Sequence, residues 1–148
     1  MNNLMKRAIE LAIENVREGG QPFGAVLAKG DEVVAEGVNE LHIKHDVSGH
    51  AELLAIRRAQ RELSIDDLSG FTMYASGEPC PMCLSAMYFV GINDIYYSET
   101  LSEAVEVGLS ASKIIYEDLG RPREGRSIQM VHMPSENKKP MKVWLGKN

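Results

Sequence analysis

Two short motifs contain every cysteine of this chain and constrain its fold more than any other feature. One is H-A-E at residues 50–52, and the other is P-C-P-M-C at residues 79–83. Cysteines three positions apart at the start of a helix lie on one face, so both sulfur atoms can reach one metal ion. A histidine from a second helix would add a third ligand. The chain must therefore bring the two segments together, with His50, Cys80 and Cys83 as the predicted ligands.

Three protein ligands leave one position of a tetrahedral zinc site open for water, which is the arrangement of a catalytic site. A structural zinc site normally has four protein ligands, and the chain has no further cysteine. His42, His45 and His132 remain as fourth-ligand alternatives, but none stands at a spacing that favours this role. A redox-active cysteine pair is a second alternative. We favour the open, catalytic zinc site.

Glu52 follows the predicted histidine ligand by two residues and is not needed to hold the metal. A carboxylate there can take a proton from the water and deliver it to a leaving group. Zinc lowers the pKa of such a water towards neutrality, which supplies hydroxide without a strong base. The H-x-E and P-C-x-x-C pair is the signature of zinc deaminases of nucleobases. The motifs therefore predict hydrolytic deamination with release of ammonia, and Glu52 as the catalytic residue.

Length and composition are typical of a soluble, single-domain protein. The 148 residues suit one domain over residues 1–148, and 44% hydrophobic with 25% charged residues is ordinary for a globular protein. We expect neither a signal peptide nor a membrane span, because no apolar run is long enough. Thiolates committed to a metal fit the reducing cytoplasm. The net charge of −5 argues against a nucleic-acid partner.

The spacing of apolar residues predicts an α/β fold, a three-layer α/β/α arrangement with a central mixed five-stranded sheet. A first helix is predicted to end at Gly19-Gly20, and a polar loop at residues 41–49 leads into the second helix. Further helical segments are predicted at residues 80–90 and at residues 101–119, the latter broken near 108–112. The predicted strands cover residues 23–28, 33–38, 71–76, 93–98 and 128–133, and a short polar tail follows.

With its two motifs, the chain resembles the cytidine deaminase-like superfamily and, within it, the small guanine deaminase and base-deaminase branch. Besides the two motifs, the shared pattern comprises P-F-G-A at residues 22–25, Asn39, Gly49, Glu78 and the acidic stretch at residues 98–106. The resemblance implies a zinc cofactor and a role in nucleobase metabolism such as purine salvage. Because small members of this fold usually associate, it also implies a homodimer.

Residue by residue, the resemblance assigns the zinc ligands and the proton shuttle to the residues named above. It also implies four substrate-binding residues. Asn39 corresponds to an asparagine that binds a polar edge of the base, and Ala51, Phe23 and Phe89 fall where the ring pocket is lined. Two alternatives remain open: Asn39 could cap the loop at residues 41–49 through backbone hydrogen bonds, and Phe23 could be ordinary strand core.

Two departures from the guanine deaminase pattern affect the expected substrate. Those enzymes carry acids in the segment equivalent to residues 108–112, which here has none, and they close the pocket with a final aromatic residue that has no counterpart after Trp144. A pocket that has lost such polar partners changes its preference. We therefore expect a small free amino-heterocycle as substrate, either guanine or a related base such as isocytosine, a pterin or a triazine.

A tRNA-specific adenosine deaminase is the main alternative, because that branch shares the zinc motifs. It carries a stretch rich in Lys, Gly and Ala where this chain has Glu99, Glu103 and Glu106, and three carboxylates would repel phosphates. A cytosine deaminase is a further alternative. A zinc-binding member without activity ranks last, since all four predicted site residues are present.

Overall fold

The computed structural model describes residues 2–146 and contains helices on both faces of a four-stranded sheet. The chain divides into two compact units, residues 1–117 and residues 118–148. The sheet and both metal-binding motifs belong to the first unit. One domain over the whole chain stays a prediction. No helix within residues 2–146 has both the length and the apolar character needed to cross a bilayer.

The elements alternate along the chain largely as the apolar spacing predicts. The helices are α1 (Asn3–Arg17), α2 (Ala51–Leu63), α3 (Pro81–Val90), α4 (Leu101–Glu106), α5 (Ala111–Leu119) and α6 (Pro140–Gly146), with a 3-10 turn at Arg123–Gly125. The strands are β1 (Gly24–Lys29), β2 (Glu32–Val38), β3 (Thr72–Gly77) and β4 (Asp94–Glu99). The predicted break near residues 108–112 overlaps the gap between α4 and α5.

The sheet is mixed, as predicted, with the strand order β2-β1-β3-β4. β1 pairs antiparallel with β2 and with β3, whereas β3 and β4 run parallel and are joined through α3. Parallel neighbours need such a crossover, because a tight turn cannot return the chain to the same end of the sheet. Both β3 and β4 therefore end near the start of α3 and α4.

β1 is the central strand, and its side chains alternate between the two helical layers. Val26 and Ala28 pack against α1, and Ala25 and Leu27 face the larger core beneath α2 and α3. All four side chains have no exposed surface. The first unit therefore has two apolar cores, one on each face of the sheet, which confirms the predicted α/β class.

Gly37 allows α2 to approach the sheet closely. A Cβ atom at this position would overlap the carbonyl oxygen of Ala51 and would lie 3.1 Å from the backbone nitrogen of Ala55. No other residue type fits between β2 and the first turn of α2 without moving one of them. This contact sets the position of the helix start that carries the H-A-E motif.

The predicted fifth strand at residues 128–133 was wrong. The second unit, as far as residue 146, contains no strand, and the side chains of Ile128, Met130, Val131 and Met133 are exposed. The alternating pattern resembles a strand, but a strand also needs a partner for its backbone hydrogen bonds. The predicted short polar tail contains a helix, α6, at Pro140–Gly146.

Candidate metal centre

Two helix starts position the predicted metal ligands. His50 is the N-cap residue of α2, Cys80 is the N-cap residue of α3, and Cys83 lies in the first turn of α3. Pro81 occupies the first position of α3, where its missing N–H costs little. Helix N-termini carry partial positive charge and favour thiolate over thiol. Local sequence therefore brings both sulfur atoms to the N-terminus of one helix.

The distances between the three side chains fit a zinc ion. Nδ1 of His50 lies 3.4 Å from Sγ of Cys80 and 3.6 Å from Sγ of Cys83. A tetrahedral zinc ion with ordinary bond lengths separates a nitrogen and a sulfur ligand by about 3.5 Å. All three ligand atoms lie within 4.8 Å of one another, and His42 and His45 are not part of this group. The donor set suits zinc.

The hydrogen bond between Cys80 and Cys83 shifts the pKa values of the two thiols in opposite directions. The hydrogen bond with Cys83 lowers the pKa of Cys80 to about 4, and the same hydrogen bond raises the pKa of Cys83. The backbone N–H of Cys83 also donates to Sγ of Cys80 over 3.4 Å. The hydrogen bond with Cys80 raises the pKa of His50. This local network stabilises negative charge on the sulfur of Cys80.

Glu52 is buried beside the predicted ligands. Its side chain is 7% exposed, and burial raises its pKa to about 7. A carboxyl group with such a pKa can both accept and donate a proton near neutral pH. Glu52 lines the same cavity as His50 and Cys80. Its position therefore suits proton transfer at a ligand held in that cavity.

The cavity has a volume of about 920 Å³, at the upper end of the range for small-molecule sites. One wall consists of apolar side chains from α4, α5 and the segment between them. They are Leu101, Ala104, Val107, Leu109 and Ile114. Polar groups of the two motifs, at His50, Glu52 and Cys80, line the same cavity. A mainly apolar lining with a few polar groups is the usual construction of a site for a small organic ligand.

Three of the four predicted substrate-binding residues line the cavity, namely Phe23, Asn39 and Ala51. Phe23 also packs against the larger core, beside Gly77, where any Cβ would lie 2.9 Å from its ring. The amide oxygen of Asn39 accepts a hydrogen bond from the backbone N–H of Leu41 over 3.0 Å. Asn39 thus caps the loop, as the alternative interpretation predicts, and borders the cavity as well.

The structure does not bring Phe89 to the cavity. Its side chain is 92% exposed, and it is absent from the residues that line the cavity within residues 2–117. Cys83 and Met87 form the buried face of α3. Phe89 follows Met87 by two positions, which rotates it by about 200° around the helix. The prediction that it lines the ring pocket is therefore corrected: Phe89 lies on the outer face of α3.

Two residues that the motifs do not reveal, Asn15 and Tyr116, make hydrogen bonds to backbone segments beside the cavity. Nδ2 of Asn15 donates to the carbonyl oxygens of Gln21 and Asn39, at 2.8 and 2.9 Å. The hydroxyl of Tyr116 donates to the carbonyl oxygen of Pro79 over 2.6 Å, and burial raises its pKa to about 12. A polar asparagine on the apolar stripe of α1 was a visible signal. Nothing in the sequence around Tyr116 indicated its partner.

The segment at residues 108–112 lines the cavity and contributes Ser110 and Ser112 but no acid. Three other carboxylates also line it, at Glu78, Glu99 and Glu103. Glu78 accepts a hydrogen bond from the backbone N–H of Leu101 over 3.0 Å, and Glu103 forms a capping box at the start of α4. These two carboxylates therefore stabilise the N-terminus of α4.

A family model described as the cytidine and deoxycytidylate deaminase zinc-binding region matches residues 1–99. The chain belongs to this deaminase family. The guanine deaminase of Bacillus subtilis strain 168 is 38% identical over 142 residues, which cover 95% of this chain and 90% of that protein. An X-ray structure of the B. subtilis guanine deaminase superposes with a TM-score of 0.90 at 37% identity and covers 99% of this chain and 95% of that one.

Other members of the deaminase family are similar over less of the chain. The tRNA-specific adenosine deaminase of Agrobacterium fabrum is 36% identical over 107 residues, covering 68% of this chain and 70% of that protein. The crystal structure of NE0047 in complex with 2,6-diaminopurine has a TM-score of 0.68 at 28% identity, covering 72% of this chain and 60% of that one. These relationships make the chain a zinc-dependent aminohydrolase, as the two motifs predict.

Proposed function

We propose that this deaminase removes the amino group of a small free heterocycle by hydrolysis and releases ammonia. The substrate is guanine or a related base such as isocytosine, a pterin or a triazine. The observation that carries the proposal is one cavity that brings together His50 and Cys80, the buried carboxyl of Glu52 and an apolar wall. The similarity of this chain to the B. subtilis guanine deaminase, over 95% of its length, supports the substrate class.

The residues of the cavity divide the reaction between them. His50, Cys80 and Cys83 would hold zinc, which when bound supplies a Lewis acid that makes a water nucleophilic at neutral pH. Glu52 takes one proton from the attacking water as the water oxygen bonds to the ring carbon, and passes this proton to the ring nitrogen. It then takes the second proton from the added hydroxyl and passes it to the amino group, as the carbon–nitrogen bond breaks and ammonia leaves.

Asn39, Phe23 and Ala51 would bind the heterocycle. Asn39 uses its amide oxygen for the N–H of Leu41, and its amide nitrogen lies 3.4 Å from Oε1 of Gln21. Within residues 2–146, the second N–H of the amide and the remaining lone pair of its oxygen have no further partner, so they can bind a polar edge of the base. The ring of Phe23 supplies an apolar surface. These positions support recognition of a planar, polar-edged ring.

The segment at residues 108–112 sets the selectivity in this proposal. Its hydroxyl groups at Ser110 and Ser112 can donate or accept, whereas a carboxylate can only accept. Because this segment has no carboxylate, it offers no charged acceptor to the N–H groups of guanine. We therefore propose that selectivity is relaxed or altered relative to guanine deaminases.

A small substrate is favoured over tRNA by the charge of the cavity walls. Glu78, Glu99 and Glu103 all line the cavity, and three carboxylates oppose the approach of a phosphate backbone. The similarity to the A. fabrum tRNA deaminase covers 68% of this chain, against 95% for guanine deaminase. Cytosine is the remaining base to be tested as an alternative substrate.

We further propose that the enzyme is a cytoplasmic homodimer. Both cysteines are free of disulfide bonds, as metal-binding thiolates in a reducing compartment would be. Tyr88 and Phe89 are exposed side by side on α3, an apolar pair of the kind that a partner subunit covers. Sedimentation of the wild type and of Phe89→Ser tests the dimer, since loss of this contact should give monomers.

Ammonia release from a panel of substrates tests the proposed function. The panel contains guanine, isocytosine, cytosine, adenine, a pterin and a triazine, together with an adenosine-containing tRNA anticodon loop. We expect at least one free base other than guanine to be deaminated. A higher kcat/KM for the anticodon loop than for any free base would refute the substrate class. Strict specificity for guanine would refute the role of residues 108–112.

A further inference from the structure

A second cavity, with a volume of about 150 Å³, lies between α2 and the loop that precedes it. The residues that line it are Glu40, Lys44, Asp46, Gly49, Leu54, Arg57, Arg58 and Arg61. The four from α2 stand at positions i, i+3, i+4 and i+7, so they share one face of the helix. None of these residues lines the larger cavity described above.

Four cations and two carboxylates surround this cavity. Glu40 serves two of the cations, since its carboxylate lies 3.6 Å from Nζ of Lys44 and 3.3 Å from a guanidinium nitrogen of Arg58. Arg58 also donates to the carbonyl oxygen of Glu36 over 2.7 Å. The carboxylate of Glu40 therefore neutralises one of the two positive charges of Lys44 and Arg58, and one positive charge remains.

The other carboxylate is directed at its own loop. Asp46 accepts hydrogen bonds from the backbone N–H and the hydroxyl of Ser48, at 2.9 and 2.6 Å. Arg57 donates to the Ser48 hydroxyl over 3.0 Å and has no ion pair closer than 4.0 Å within residues 2–146. Arg61 has neither a hydrogen bond nor an ion pair with that part of the chain. The cavity thus has a net charge of +2 in a chain of net charge −5.

We propose that this cavity is a binding site for a dianionic phosphate group, either inorganic phosphate or a phosphate monoester. The guanidinium groups of Arg57 and Arg61 would bind its oxygen atoms, because the fork of donors on arginine matches this geometry. Two negative charges balance the two positive charges that the carboxylates leave. The volume holds one phosphate group with little room for more, since a single water takes roughly 30 Å³.

A phosphate bound there connects two segments that lead to the metal centre. Lys44 and Asp46 belong to the loop between Asn39 and His50, whereas Arg57 and Arg61 lie on α2, which starts at His50. A ligand that contacts both segments stabilises the folded chain relative to the unfolded one. This inference concerns binding only and does not rest on the proposed deaminase activity.

Calorimetry and thermal unfolding of the zinc-loaded, full-length protein test this proposal. Inorganic phosphate and glycerol phosphate are titrated separately, with ionic strength held constant by sodium chloride. The test variant is Arg57→Gln with Arg61→Gln, and the control variant Lys6→Gln with Arg17→Gln removes the same charge from α1. We expect phosphate to raise the unfolding temperature of the wild type and the control. Binding to the test variant should be at least ~10-fold weaker.

Arg61→Gln is a second test variant in case the double variant misfolds, because Arg61 makes no hydrogen bond or ion pair within residues 2–146. This single variant should also weaken phosphate binding. Binding of inorganic phosphate alone, or of both probes, would support the site and identify whether it accepts an ester. Equal binding to wild type and test variant would overturn the proposal, as would an equal loss in both double variants. Binding of a single-stranded RNA through these arginines without binding of either small phosphate would also overturn it.

Discussion

Cys83 has no exposed surface and is one of the two cysteines in the chain, so its loss cannot be replaced from elsewhere. Cys83→Ala leaves two of three zinc ligands and a small void in the core. We expect the variant to purify with little or no zinc and to unfold at a lower temperature. Metal content per chain and thermal unfolding measure both effects.

Met82→Leu is the matched control, since Met82 lies between the two cysteines and is not a ligand. A conservative change of this kind should leave zinc content unchanged and cost less than about 1.5 kcal/mol. Full zinc occupancy in Cys83→Ala would refute the assignment of the third ligand. Loss of zinc in both variants would mean that the substitutions disturb the first turn of α3. It would then not show that the sulfur atom of Cys83 binds zinc.

Glu52→Gln separates chemistry from metal binding. The amide keeps the size of the buried side chain but cannot carry a proton between the water and the leaving amino group. We expect turnover to fall by about 10²–10⁴-fold while zinc content and unfolding temperature are retained. Glu62→Gln, an exposed position on the same helix, is the control and should be fully active. A comparably active Glu52→Gln enzyme would remove this residue from the mechanism.

At the scale of the elements, the packing of α2 on β2 depends on Gly37. Gly37→Ala places a Cβ against the carbonyl oxygen of Ala51, so the first turn of α2 must shift. We expect a loss of about 1–3 kcal/mol in the free energy of unfolding, together with weaker zinc binding, because His50 precedes that turn. Denaturant unfolding and competition with a chelator measure the two quantities.

Gly125 offers the control for that substitution, because a Cβ there would meet no atom within 4 Å. Gly125→Ala should therefore change stability by no more than about 0.5 kcal/mol and leave zinc affinity unchanged. If Gly37→Ala bound zinc as tightly as the wild type, the position of the α2 start would not depend on this close contact.

Asn15 links α1 by hydrogen bonds to Gln21 and Asn39, two residues that line the larger cavity. Asn15→Ala would remove the side-chain donor to the carbonyl oxygen of Asn39 and leave that of Gln21 with only the backbone N–H of Phe23. We expect a cost of about 1–3 kcal/mol in stability. We also expect KM to rise more than kcat falls. Displacement of Asn39 would weaken substrate binding, whereas proton transfer depends on Glu52. Steady-state kinetics beside Asn93→Ala, an exposed control, distinguish this from a loss of folded protein. An unchanged KM would contradict it.

For the whole molecule, zinc would act as a cross-link between α2 and α3, whose ligands are 30 and 33 residues apart. We compare protein with free zinc at about 1,000 times its Kd and protein with a chelator. The unfolding temperature should be lower by roughly 10 °C in the chelator. Added zinc should restore the original value. Cys83→Ala should not respond to the chelator, and an equal response in both proteins would contradict the cross-link.

The grouping of His50, Cys80 and Cys83 and the α/β class could be predicted because they depend on local patterns, whereas the catalytic role of Glu52 stays a prediction. A cysteine pair at a helix start faces one way whatever surrounds it, and a carboxylate two residues after a histidine stays near that histidine. The spacing of apolar residues likewise marks helices and strands without knowledge of their neighbours. The structure brings His50, Cys80 and Cys83 within reach of one metal ion, as these patterns require.

The remaining features depend on which segments meet, and spacing along the chain contains no record of that. Residues 128–133 alternate like a strand, but a strand forms only where another strand accepts its hydrogen bonds. Phe89 is apolar in a largely apolar helix, so its direction was decided by the packing of Cys83 and Met87 against the sheet. The hydrogen bonds of Asn15 and Tyr116 join residues far apart in sequence, and only folding brings such partners together.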